Sequence, residues 1–418
     1  MYFYPGNLEN FRAKALRWAS EFGTYMYLNG NGYDTLHGAF PEKLAVGVRR
    51  ELKTGRNVFE KLEEFIAGPH GWIFGYISYD AKNEVEDLTS KNPDFLQFPI
   101  IHFFEPQFLL TFYEGSVFIE SDNASAIYQS IERTEPIAVS GKVALSFYPE
   151  TGKSEYLKTG HLLKQHILEG DIYEINYCIR YFARKASIDP LVVYLALNSL
   201  SGAPFSLVYE TGNHAIISAS PERFLKKEDR KIISQPMKGT IRRGNTKEED
   251  ELLKEMLRHC EKEIAENMMI MDLVRNDLAR TCIPGTVNVE ELFGIYSFPK
   301  VHQMITTVTG MLRGNSSVVD VIRNAFPMGS MTGAPKIRAM ELIDTYERFF
   351  RGAFSGAAGY ISPDNDFDFN VLIRSLFYNK QETYLSFSAG SAITYDCDLE
   401  KEWNECQLKA AVFRQLFA

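Results

Sequence analysis

Apolar positions recur along this chain with two different periods. In the first 150 residues, runs such as "GWIFGYISYD" and "FLLTFYEGSVFIE" are rich in aromatic and β-branched residues and predict strands. "SDNASAIYQSIERTEP" reads as a short helix and its exit. In "TGKSEYLKTGHLLKQHILEGDIYEINYCIRYFARK", Tyr156, Leu162, Leu163, His166 and Ile167 fall at roughly helical spacing. Gly170-Asp171 then marks a turn, and a strand follows. "TKEEDELLKEMLRHCEKEIAENMMIMDLVRNDLART" reads as one long helical stretch, charged and amphipathic at first. Its "MMIMDLV" portion is apolar on every side and predicts burial. Asp272, Arg275, Asn276 and Asp277 of "DLVRND" read as a buried polar network that fixes this helix.

Further on, "FPKVHQMITTVTGML", "GAAGYIS", "FNVLIRSLFY" and "TYLSFSAGSAIT" predict strands. "SVVDVIRNAF", "APKIRAMELIDTYE" and the closing "LEKEWNECQLKAAVFRQLF" predict helices. Strands and helices mix without strict βαβ alternation, which favours a large α+β domain. No period of 20 to 50 residues marks a solenoid.

Composition narrows the function classes. The chain has 418 residues, 45% of them hydrophobic and 24% charged, so a large core is expected. A net charge of −9 argues against a nucleic-acid partner. It also means that an anionic substrate needs local positive charge or a metal. Cys178, Cys260, Cys282, Cys397 and Cys406 are scattered, which suits reduced thiols in a cytoplasmic protein. Neither a signal peptide nor a membrane span is expected.

The acidic residues carry candidate chemistry. Glu263 and Glu266 stand three apart in "EKEIAEN", and so do Glu402 and Glu405 in "EKEWNEC". Such pairs share a helix face, and Lys409 extends the face of Glu405. Glu266 opens into apolar sequence, where a bare carboxylate is costly. Four glutamates from two helices can enclose one hard cation, and Mg2+ favours oxygen ligands. The eight histidines show no zinc-type pairing. A solvated face making salt bridges is the plainer reading, most of all for Glu263 and Glu402.

Ten blocks in order carry a family resemblance: "GDIYEIN", "SASPERF", "PMKGTIRRG", "AENMMIMDLVRNDLAR", "FPKVHQM", "FPMGSMTGAPKIRAMELI", "RGAFSGAAGYIS", "NVLIRSL", "AGSAITYDCD" and "EWNECQLKA". From about Tyr156 to the C-terminus the chain resembles the chorismate-utilising enzymes. "GWIFGYISYDAKNEVE" is similar to their glutamine-dependent amino branch. The resemblance divides the chain into a divergent N-terminal part of the fold, 1–150, and a chorismate-binding catalytic region, 151–418. It implies two stacked antiparallel β-sheets flanked by helices, with the site between them.

It also implies chorismate as substrate, Mg2+ as cofactor, and ammonia from a separate glutamine amidotransferase subunit. This sequence has no Gly-x-Cys-x-Gly elbow of its own. By resemblance, Glu266 and Glu405 bind the metal, with Glu263 and Glu402 as outer partners, and Lys409 lies near the ring carboxylate. Tyr360 and Arg374 match residues that bind the enolpyruvyl carboxylate, aided by the backbone at Gly390, Ser391 and Ala392. Gly239 and Thr240 line the ring, and His302 lies beside it. Glu222 matches the general acid that protonates the departing C4 hydroxyl, a role that needs a raised pKa. Its plain alternative is a salt bridge to Arg223.

Two positions sort the branches. The water-adding branches carry a lysine where this chain has Glu174, so their base is missing. Amino branches commonly carry glutamine there, which leaves Glu174 either to orient ammonia or only to bond the backbone. Lys238 of "PMKGT" is alanine in the anthranilate branch. In the aminodeoxychorismate branch this lysine is a nucleophile, and the reading requires a lowered pKa, with Arg242 and Arg243 adding charge nearby. The alternatives are the anthranilate branch and a non-catalytic chorismate-binding regulator.

Overall fold

The computed structural model describes residues 1–137, 144–314 and 316–418. Their strands form two antiparallel sheets of twelve and ten strands. The larger sheet runs from Tyr2–Phe3 at one edge, through Thr24–Asn29, Phe205–Thr211, His214–Ser220, Ser375–Asn379 and Tyr384–Thr394, to Glu174–Ala183. The smaller begins at Met237–Arg242 and Val301–Met311, and continues through Arg223–Glu228, Phe367–Val371, Ala357–Ile361 and Ile73–Ile77. This is the α+β architecture of two stacked antiparallel sheets flanked by helices that the resemblance implies.

Alternation along single strands explains the stacking. In "TYMYLN", Met26 and Leu28 enter the core between the sheets, while Tyr25 and Tyr27 enter a second core under the outer helices. Both faces of the larger sheet are thus buried, so its strands read as continuous apolar runs. The division at residue 150 does not separate two folding units. Thr24–Asn29 pairs with Phe205–Thr211, and Ile73–Ile77 pairs with Ala357–Ile361.

Five sequence expectations about the elements need correction. The long helical stretch is two helices, Lys247–Arg258 and Glu261–Ala279, because Cys260 takes an extended backbone and restarts the chain at a new angle. "MMIMDLV" is not buried all round: Ile270, Met271 and Val274 face the core, while Met268 is 45% exposed. Leu162 likewise points outward from its helix, although Tyr156 and Leu163 are buried. Of the "DLVRND" network only Asp277 is buried, held by Lys336 at 2.6 Å; Asp272 and Arg275 form an exposed pair.

"FNVLIRSLFY" is also broken. It forms Phe367–Val371 in the smaller sheet and Ser375–Asn379 in the larger, with Arg374 between them at φ 51°. Phe205 belongs to the larger sheet, and the Arg223 guanidinium of the smaller sheet lies over its ring. Arg223 is fully buried and donates to both Asp368 oxygens at 2.9 Å, to Gln235 Oε1 at 2.5 Å and to the Gly38 carbonyl at 3.0 Å. Removing one partner of such a pair leaves a charge stranded in a dry core. Asp368→Asn is therefore expected to lower the unfolding free energy by about 3–5 kcal/mol, measured by urea titration.

Candidate active site

The chain passes between the two sheets at two adjacent places. One crossing links His214–Ser220 to Arg223–Glu228 and carries Glu222. The other links Phe367–Val371 to Ser375–Asn379 and carries Arg374. Backbone bonds tie them together: Val371 N donates to Glu222 O at 3.0 Å, and Ala219 N to Arg374 O at 3.1 Å. The fold thus fixes the backbones of Glu222 and Arg374 on adjacent crossings at the seam of the sandwich.

Glu222 is 4% exposed. Burial pushes its carboxyl up to about 7, although Ser330, Lys238 and the Met237 amide hold it back. It makes no salt bridge with Arg223, whose charge is taken by Asp368. Arg374 is half-buried, its pKa lowered by burial, and its guanidinium donates to the Lys409 carbonyl at 3.4 Å.

Near the ends of the sheets, Lys238 joins one to the other. Its Nζ lies 2.9 Å from Glu174 Oε1 and 3.5 Å from Glu266 Oε2. Glu174 is 1% exposed, and its second oxygen has no partner. The Glu174 side chain therefore meets Lys238. Two consequences follow for the sequence reading. Burial alone lowers the pKa of Lys238, but Glu174, Glu266 and Glu405 together outweigh burial and raise it. The expected lowering is reversed, because the amine faces carboxylates. Arg242 and Arg243 do not press on it: they are bonded to Glu249 and Asp250.

The "PMKGT" strand approaches the Glu261–Ala279 helix closely because Gly239, at φ +91°, has no Cβ; one placed there would stand 3.3 Å from the Cβ of Glu263. Asn267, which the sequence reading left unassigned, steadies the strand. It donates to the Lys238 and Met304 carbonyls at 3.4 Å and accepts from Thr306 Oγ1 at 2.6 Å. Its only signal in the sequence is an amide beside Glu266 in an apolar run. Thr240 pairs with Gln303 and is exposed.

The four helical glutamates come from the N-terminal halves of two helices, where the helix dipole favours negative charge. Glu263 and Glu266 belong to Glu261–Ala279, and Glu402 and Glu405 to Leu399–Leu416. Burial raises the pKa of Glu263, with Glu266 adding to it, and burial raises that of Glu402 against the pull of Lys262. Glu405 is held below its ordinary value despite burial by Lys409, at 2.6 Å. No three of these carboxylates converge on one point; among the described residues only His166, Glu169 and Asp171 do. Like charges spread apart, and lysines stand between them. Lys262 reaches Glu402 at 2.9 Å. A divalent cation nevertheless suits the donor set, because the buried Glu266 Oε1 has no hydrogen-bond partner.

Gly390, Ser391 and Ala392 lie on Tyr384–Thr394 beyond its last pairing with Ser375–Asn379, at Leu376 and Phe387. One backbone edge there is uncovered by that neighbour, and Lys409 Nζ donates to the Gly390 carbonyl at 2.7 Å. A Cβ at Gly390 would run into Cys178 and Asn176.

Two expected site residues stand apart from this cluster. Tyr360 packs against Trp72 and Phe74, with ring centroids at 5.3 and 6.3 Å. Burial raises its hydroxyl pKa, and its charged neighbours are Asp368, Arg223, Glu228 and Asp366. His302 is fully buried, and both ring nitrogens are bonded, to Ser297 Oγ and Asp250 Oδ1, each at 2.9 Å. Asp250 also holds Arg243, whose hydrogen bonds keep its pKa depressed. His302 is thus locked into a protein network.

A family model described as chorismate binding enzyme matches residues 30–415, starting well before Tyr156. The chloroplastic aminodeoxychorismate synthase of Arabidopsis thaliana is 35% identical over 87% of this chain and 42% of its own length. The chain therefore spans less than half of that relative. Anthranilate synthase component 1 of Saccharolobus solfataricus is 32% identical over 91% of this chain and 86% of its own. Among solved structures, anthranilate synthase component I from Streptococcus pneumoniae superposes with a TM-score of 0.79 at 24% identity, covering 91% of this chain and 94% of that one. No helix among the described residues is long and apolar enough to cross a membrane.

Burial of Glu222 has a pH signature. Its carboxyl ionises near 7 in the folded chain against an ordinary 4.5. Between these values the folded state holds the extra proton, so stability falls as pH rises. Glu222→Gln is expected to flatten that fall, measured by urea unfolding at about pH 5 and about pH 8.

Proposed function

This chain belongs to the chorismate binding enzyme family, and from that premise we propose that it is an aminodeoxychorismate synthase component I. It converts chorismate and ammonia to 4-amino-4-deoxychorismate and water, a precursor of 4-aminobenzoate and folate. The observation that carries the reading is Lys238, whose amine stands among the acidic groups between the sheets. The Arabidopsis relative of that name supports it at 35% identity.

Each residue has a role. Lys238 gives a proton to Glu174, the carboxylate it already contacts, and its free amine attacks C2 of the ring. The ring double bonds shift, and the C4–O bond breaks as Glu222 donates a proton to the leaving hydroxyl, which departs as water. Ammonia then bonds to C4, the double bonds shift back, the bond from C2 to Lys238 breaks, and Glu174 returns its proton to the released amine. The proton shed by the attacking ammonia returns to Glu222. Arg374 and the open backbone edge at Gly390–Ala392 hold the enolpyruvyl carboxylate, and Lys409 lies near the ring carboxylate. Mg2+ held by Glu266 and Glu405, with Glu263 and Glu402 behind them, supplies positive charge for that carboxylate. Ammonia comes from a separate glutamine amidotransferase.

Anthranilate synthase component I is the second reading, because a relative of that name aligns over 86% of its own length. Product identity separates the two. Chorismate, Mg2+ and excess ammonium salt at mildly alkaline pH are expected to yield 4-amino-4-deoxychorismate by mass; 2-aminobenzoate instead points to the second reading. Lys238→Ala is expected to slow product formation by at least about 100-fold. Full retained activity would exclude the nucleophile. Glu405→Gln is expected to lose Mg2+-dependent turnover with its melting temperature nearly intact; an active, metal-independent variant contradicts the ligand assignment.

A further inference from the structure

We infer that Lys262 is a built-in counter-cation of the glutamate cluster, one that opposes a divalent ion there and stabilises the empty site. The inference rests on the reading above that Glu266 and Glu405 hold Mg2+.

Lys262 sits in the first turn of Glu261–Ala279, the end where the helix dipole disfavours a cation. Its position is explained by what it reaches. The ammonium crosses to the other helix, 2.9 Å from Glu402 Oε1, and stands 3.6 Å from Glu266 Oε1. Those carboxylates are 3% and 9% exposed, while the lysine is 46% exposed. The shorter contact is a hydrogen bond and the longer is not, so Glu266 Oε1 stays without a partner. Lys262 therefore supplies charge to Glu266 without filling its coordination.

Lys238 touches the other oxygen of Glu266, but its ammonium is tied to Glu174 on the larger sheet and is more deeply buried. Of the two lysines that reach Glu266, Lys262 is the freer to move, because its flexible stem already borders water. A divalent ion on Glu266 places like charge beside the ammonium. Removing the ammonium relieves that repulsion in the loaded site; in the empty one it strands the buried Glu402 and leaves Glu266 with Lys238 alone.

The test titrates Mg2+ into the full-length wild type and into Lys262→Gln and Lys262→Arg, by calorimetry without chorismate. Lys262→Gln is expected to bind Mg2+ at least about tenfold more tightly, and Lys262→Arg to stay within about threefold of wild type. Without metal, Lys262→Gln is expected to melt lower than wild type, and Mg2+ is expected to raise its melting temperature by more. Equal or weaker binding by Lys262→Gln, with wild-type binding intact, overturns the role of Lys262 and leaves the metal reading standing. No heat and no melting shift in wild type, with or without chorismate, overturns the metal reading and this inference together. Wild type also tests the inference without any folding of the glutamine variant. The 13Cε resonance of Lys262, assigned by its absence in Lys262→Arg, is expected to shift on Mg2+ addition, and an unmoved resonance overturns the inference.

Discussion

Several carboxylates within one another's field, with Glu174, Glu266 and Glu402 buried, set the terms for the rest of this site. Glu174 comes from one sheet, Glu263 and Glu266 from one helix, and Glu402 and Glu405 from another. The buried ones lose hydration, and nearby positive charge offsets that loss. Three lysines provide it: Lys238 on Glu174, Lys262 on Glu402, and Lys409 on Glu405. Two of these contacts run between elements rather than within them. Lys238 ties the smaller sheet to the larger, and Lys262 ties one helix to the other. Electrostatic balance and the placement of four elements are therefore one problem.

The sandwich makes that solution rigid. Strands from the first 120 residues form one end of each sheet and pair there with strands from the rest of the chain, Thr24–Asn29 with Phe205–Thr211 and Ile73–Ile77 with Ala357–Ile361. Neither sheet can shift without breaking ladders to both parts. The two crossings at Glu222 and Arg374 then fall next to each other by strand order, because His214–Ser220 and Ser375–Asn379 are neighbours in one sheet and Arg223–Glu228 and Phe367–Val371 are neighbours in the other. Loop-borne chemistry held on such a scaffold keeps its geometry.

What the sequence disclosed follows the range of each interaction. Helix periodicity places Glu263 with Glu266 and Glu402 with Glu405, because i and i+3 is a local relation. Strand propensity finds the apolar runs, and the quoted motifs find the family. The Glu174–Lys238 contact, 64 positions apart, was out of reach, as only sheet stacking creates it. The break inside "VLIRSL" was hidden because Leu372 and Ile373 remain apolar while the chain changes sheets. Leu162 and Met268 show the opposite failure: an apolar side chain carries no mark of whether a neighbouring element covers it. Tyr360 matched a motif, yet its ring belongs to the aromatic packing of Trp72 and Phe74.

Glu222 and Arg223 show how adjacent residues acquire opposite electrical lives. Side by side in sequence, they invite a salt bridge that would keep the carboxyl ionised. The start of a strand prevents it, since successive side chains there point to opposite faces. Arg223 turns to Asp368, Gln235 and the backbone at Gly38, and its charge is consumed in that buried network. At Glu222 the pull of Ser330, Lys238 and Lys409 is weaker than burial, so burial decides its protonation. In the proposed reaction an acid near neutrality and a cationic lysine must coexist within one small volume. Environments that push two groups apart in acidity assign them separate roles. Here the division is made by the pleat of one strand, which sends the arginine away from the carboxyl it follows.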